Sequence, residues 1–128
     1  MLAALTAAAT LAATPKKVVT VTKTVTGPQE VASRWGYVEV VLVVKRTTTT
    51  VGTKKSVTRT ITAVKVPVYP HHTDRSVFIN SQAVPLLTQE VLKTTKFNPN
   101  IELVGGATDT SYAFQQSLQA AILAAKKI

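Results

Sequence analysis

Tyr37-Val38-Glu39-Val40-Val41-Leu42-Val43-Val44 is a nearly unbroken run of β-branched and aliphatic residues, and it reads as the central strand of a sheet. Its flanks agree. Upstream, Val18 to Thr26 alternates, with Val19, Val21 and Val25 facing one way and Thr20, Thr22, Thr24 and Thr26 the other. That is the pattern of a half-buried strand, and Gly27-Pro28 ends it. Downstream, Thr47 to Thr50 with Val51-Gly52-Thr53 reads as a turn. Ser56 to Val66 then forms the return strand, with Val57, Ile61 and Ala63 on one face, so the two longer segments make a hairpin.

Past Pro67 the period changes from two to about four. Ile79, Ala83, Leu87 and Val91 mark one stripe of a helix from Ser76 to Thr94, which Asp74 or Ser76 would cap. Pro85 falls inside it, cannot donate to the carbonyl of Ser81, and so calls for a kink or a split. Phe97-Asn98-Pro99-Asn100 reads as a loop and Ile101-Glu102-Leu103-Val104 as a short strand. A last helix runs from about Ser111 to Lys126, with Phe114, Leu118, Ala121, Ile122 and Ala125 on its apolar face. Strands first and helices after give an α+β fold: an antiparallel sheet from the N-terminal half packed against two C-terminal helices.

The chain has 128 residues, enough for one domain with a modest core. With aromatics at 5 % and alanine, valine and threonine abundant, that core is built from small and β-branched side chains. There is no cysteine, which excludes disulfides, thiol nucleophiles, iron–sulfur ligation and zinc–thiolate sites. The net charge of +9 comes from 15 basic and 6 acidic residues, and such a surface attracts anions. The basic residues occur as isolated pairs (Lys16-Lys17, Lys45-Arg46, Lys54-Lys55, Lys126-Lys127) without an aromatic ladder, so nucleic acid is not the expected partner. After Met1, the stretch to Thr14 holds only alanine, leucine and threonine. It is too short to span a bilayer as a helix, which takes about 20 residues. It matches the apolar core and small-residue end of a signal peptide, or a shortened anchor. Residues 1–17 are read as that leader or anchor remnant and 18–128 as the domain, which makes the protein extracytoplasmic, secreted or membrane-anchored.

The chemistry-bearing stretch is Gly105-Gly106-Ala107-Thr108-Asp109-Thr110-Ser111. Two glycines can turn backbone N–H groups inward, and the helix that follows adds partial positive charge, a geometry suited to phosphate. On the residues alone, Gly105-Gly106 can equally be a turn, with Thr108 or Thr110 serving as an N-cap. Arg75 could pair with a phosphate, and Trp35, Tyr69 and Tyr112 could stack on a planar ring. His71 and His72 are the only histidines, with no third histidine or any cysteine to complete a metal site. Neither a catalytic triad nor a pair of carboxylates can be argued from spacing.

Several separated elements, in order and spanning roughly Gly27 to Lys127, resemble the small FMN-binding domains. They are Arg34-Trp35-Gly36-Tyr37-Val38-Glu39-Val40, the loop Tyr69-Pro70-His71-His72-Thr73-Asp74-Arg75, the helix from Ile79 to Glu90, and the Gly-Ala-Thr-x-Thr-Ser element at 106–111 followed by Ser117-Leu118-Gln119. The departures are Gly105, where the family usually has Ser or Thr, and Asp109, where it more often has an apolar or aromatic residue. The resemblance implies that Thr108 accepts FMN in a phosphoester made by a dedicated flavin transferase. Gly105, Gly106, Ala107, Thr110 and Ser111 would surround the phosphate, and the Tyr69, His71 and Arg75 loop would line the flavin. It also implies an extracytoplasmic electron carrier or redox module, rather than a stand-alone enzyme, working with membrane or extracytoplasmic redox proteins. Two other readings stay open: an exported basic binding or structural module that keeps the fold without flavin, and a polyanion binder driven by charge.

Overall fold

The computed structural model describes residues 15–93 and 101–128. The leader segment up to Thr14, the end of the expected helix at Thr94 and the Phe97–Asn100 loop lie outside the described residues. Four antiparallel strands come first: β1 (Lys16–Thr26), β2 (Glu30–Val31), β3 (Tyr37–Val51) and β4 (Lys54–Val68). Two helices follow, α1 (Asp74–Lys93) and α2 (Thr108–Ala125). The architecture is the expected α+β one. β3 is central, pairing with β4 along one edge and with β1 and the short β2 along the other.

The core follows directly from the two periodicities. Val38, Val40, Leu42 and Val44 line one face of β3, and against them pack Leu87 and Val91 of α1 and Ala113, Phe114, Leu118, Ala121, Ile122 and Ala125 of α2. An 18-residue helix is about 27 Å long, whereas the 15 residues of β3 reach about 50 Å. The sheet therefore outruns its helices. Beyond Val44, β3 continues with β1 and β4 as a three-stranded arm that no described helix packs over at its tip, where Val18, Val19, Val51 and Val57 are 42–52 % exposed. Only Val21 and Val25 of β1 are half-buried, because Val19 already lies past the helices.

The local differences from expectation have physical causes. Thr47 to Val51 is strand, not turn, since β-branched threonines suit a strand paired on both sides; the turn shrinks to Gly52-Thr53. β4 contains a bulge: Val43 faces Ala63 and Val44 faces Ile61, leaving Thr62 unpaired. The extra residue switches faces, so Val64 and Val66 join Ile61 on the core while Ala63 points away. The buried stripe of α1 is Ser76, Asn80, Ala83, Leu87 and Val91, with Ile79 half-buried beside it. That helix runs unbroken through Pro85, which lies on its exposed side. Residues 101–104 form no strand. They are held instead by the Glu90 carboxylate, which accepts from the Glu102 N–H, and by Ile101 and Val104 against the core.

One contact fixes α2 to the sheet. Val40 faces the β1–β2 edge of β3, where its carbonyl accepts from the Gly27 N–H at 2.8 Å. Between β1 and β2 its N–H has no strand partner and donates to Ser117 Oγ at 2.9 Å. The Ser117 hydroxyl in turn donates to the Pro28 carbonyl at 2.7 Å. Gly27 lets the backbones approach: a Cβ there would sit 2.4 Å from the Ser117 carbonyl oxygen. A single buried hydroxyl thus bridges the break between β1 and β2 and ties helix to sheet.

Candidate functional site

The other end of the sheet, where β3 begins, β4 ends and both helices start, holds an open-sided cavity of about 290 Å³. Three segments build it. Trp35 comes from the turn before β3; Pro70 follows β4, ahead of Arg75, Ser76, Ile79 and Asn80 in the first turns of α1; and Gly106 to Thr110 opens α2. The Trp35 turn is closed by the Ala32 N–H to Gly36 carbonyl bond (2.8 Å) and holds Ser33 at a left-handed φ of 53°. Such a conformation is uncommon for serine.

The start of α1 is set by Thr73, not by Asp74 or Ser76. The Ser76 N–H donates to Thr73 Oγ1 at 3.0 Å, and the Thr73 hydroxyl donates on to Ser76 Oγ at 2.9 Å. One turn later, Asn80 Nδ2 donates to the Pro70 carbonyl at 2.7 Å, pinning the loop to the helix. A carbonyl can only accept, so this bond fixes which way the amide faces. The other end of the amide, Oδ1, is then buried without a partner, and the whole residue is only 3 % exposed. Asn80 was missed in the sequence, though its signal is there: a polar residue at a stripe position between Ser76 and Ala83.

The start of α2 is a clamped turn. The Ala107 N–H donates to the Val104 carbonyl at 3.0 Å, and Gly106 takes φ 82°, the third position of a type II turn. Ser111 locks it: its Oγ donates to the Ala107 carbonyl at 2.7 Å and accepts from the Val104 N–H at 3.0 Å. The N-cap position falls on Ala107, which supplies no side-chain cap; neither Thr108 nor Thr110 takes that role. The first-turn N–H groups are therefore left without a side-chain acceptor, at the positive end of the helix dipole.

Of the residues singled out in the sequence, Gly106, Ala107, Thr108, Thr110 and Arg75 line the cavity together, as does Trp35. Thr108 is exposed and Thr110 buried. Gly105, Ser111, Tyr69 and His71 are not among the lining residues. Ser111 is fully buried in the turn clamp. His71 Nδ1–H donates to the Tyr69 carbonyl at 2.7 Å, and the two rings sit 5.4 Å apart beside Pro70. Tyr112 points to solvent. Comparisons of the chain with protein-family models, with curated proteins and with solved structures give no match.

Proposed function

We propose that this chain is an FMN-binding electron-transfer domain that works outside the cytoplasm, with the flavin phosphate held at Thr108. The observation that carries the reading is the convergence of the Gly106–Thr110 helix start with Arg75, Trp35 and Asn80 on one cavity. The donors lining the cavity suit the group, with the Asp109 carboxylate as the one acidic side chain among the lining residues. Uncapped first-turn amides and the Arg75 guanidinium suit a phosphate, the Trp35 ring suits a planar heterocycle, and the orphaned Asn80 Oδ1 offers an acceptor to a ring N–H. At about 290 Å³ the cavity is near the lower end of small-molecule sites, roughly 300–1,000 Å³, enough for one end of the cofactor. Bound flavin would supply the redox chemistry, and the chain would hold and orient it.

Exposure favours Thr108 over Thr110 as the ester acceptor, since a transferase must reach the hydroxyl. Ester formation joins Thr108 Oγ to the flavin phosphorus. With a flavin-bearing pyrophosphate as donor, the second phosphoryl half leaves and the hydroxyl proton passes to a base of the transferase. Co-expression with a flavin transferase, followed by intact mass measurement, tests this. The expected gain is FMN less one water, with flavin absorbance that survives denaturation. Thr108→Ala should abolish the adduct and Thr110→Ala should keep it. The reading fails if neither the native chain nor a Gly105→Ser variant carries flavin in any form.

A further inference from the structure

We propose that the bare end of the sheet is a docking arm that seats end-on against an anionic phospholipid bilayer. The basic pairs that are scattered along the sequence meet here through strand register. Lys16 lies opposite Val51, which lies opposite Lys54; in the next row Lys17, Thr50 and Lys55 are aligned in the same way. Cross-strand partners share a face, so Lys16 and Lys54 project from one side of the sheet and Lys17 and Lys55 from the other. Four ammonium groups crown the tip. No acidic residue precedes Glu30, and none lies between Glu39 and Asp74, so the arm carries no carboxylate to offset them. At the base of the arm Arg59 is already engaged, donating to the main-chain oxygen of Ile128 at 2.7 Å.

Two observations choose a bilayer over a nucleic acid. The lysines ring the tip on both faces, whereas a nucleic-acid backbone needs cations tracking along one face. The arm also has no aromatic residue on which a base could stack. Moreover, the chain enters the arm at this same end, from a stretch of alanine, leucine and threonine that runs into Pro15-Lys16-Lys17. An apolar segment joined to a basic cluster combines the two signals that hold a protein to an anionic membrane. Trp35 and the cavity lie beyond the opposite end of β3, roughly 45–50 Å away. A seated arm therefore holds the cavity away from the lipid, open to soluble partners. None of this depends on flavin.

Co-sedimentation of the full chain with vesicles decides the matter, comparing phosphatidylcholine alone with an equimolar mixture of phosphatidylcholine and phosphatidylglycerol. Binding should favour the anionic vesicles and weaken as salt is raised. Lys54→Gln with Lys55→Gln should lower that affinity by on the order of tenfold or more, from roughly fivefold per basic residue at such a surface. Arg34→Gln with Lys65→Gln removes equal charge, from the turn before β3 and from the covered part of β4, and should leave binding nearly intact. Unchanged thermal melts would show that both variants fold. Equal binding to the two vesicle types, binding to neither, or equal losses in the two double variants would each overturn the proposal. Release of the chain from anionic vesicles by a short DNA duplex would overturn it too, assigning the tip to nucleic acid.

Discussion

The two halves of β3 make an internal comparison, because they share one strand and the same flanking partners, β1 and β4, over most of its length. From Tyr37 to Val44 the strand is apolar on both faces except at Glu39, and its even-numbered residues form the core under α2. From Lys45 to Val51 the even positions are Arg46, Thr48 and Thr50, and among the described residues none of them joins the core under the helices. Pairing with β1 continues unbroken across the boundary, and pairing with β4 resumes at Val44 directly past the Thr62 bulge. β-propensity therefore extends the strand, while the phase of the apolar residues decides where the domain ends. In the covered half stability comes from burial; in the arm it comes mainly from backbone pairing, and past Arg59, which Ile128 engages, the tip lysines are free for other work.

The largest expected effect tests that division. Phe114 is the largest fully buried side chain, set against the covered half of β3. Phe114→Ala should cost about 3–5 kcal/mol in urea denaturation. Val57→Ala, on an arm residue 48 % exposed, should stay within about 0.5 kcal/mol. Comparable losses at the two positions would break the comparison and mean that something covers the arm.

A smaller effect is expected where the break between β1 and β2 meets the helix. Ser117→Ala leaves the buried Val40 N–H without its acceptor and the Pro28 carbonyl without its donor. The cost should be about 1–3 kcal/mol by the same measurement. Thr58→Ala removes an exposed hydroxyl from the arm and should change little. If Ser117→Ala were neutral, the tie between α2 and the sheet would reside in apolar packing instead.

Legibility in the sequence follows the same boundary. The central strand, the apolar face of α2 and the α+β order were readable because each rests on a long periodic run. The Thr62 bulge was not, since a one-residue insertion leaves no compositional trace yet moves Ala63 off the core face. Thr47 to Thr50 misled for a related reason: a polar run looks like a turn when no helix lies over the strand. At the cavity, the Gly106–Thr110 stretch and Arg75 were legible from residue chemistry. Asn80 and the tip lysines were not, because a buried partnerless amide and a cluster of cations exist only once the chain is folded.

The smallest expected effect repeats the contrast between constrained and free backbone at two adjacent residues. Gly106 holds φ 82° within the turn that Ser111 clamps, and a side chain there is strained whatever the space around it. Gly106→Ala should cost about 1–2 kcal/mol, the penalty for an L-residue in the left-handed region. Gly105 has no such φ, and a Cβ built on it meets nothing within 4 Å. Gly105→Ser should therefore stay within about 0.5 kcal/mol of the native chain. The pair separates two roles that the sequence presents as one Gly-Gly turn. Gly106 is required by the turn, while Gly105 is free to vary, so any change in flavin loading on Gly105→Ser reports recognition rather than folding. A melt showing Gly105→Ser as destabilised as Gly106→Ala would remove that distinction and make both glycines part of the clamp.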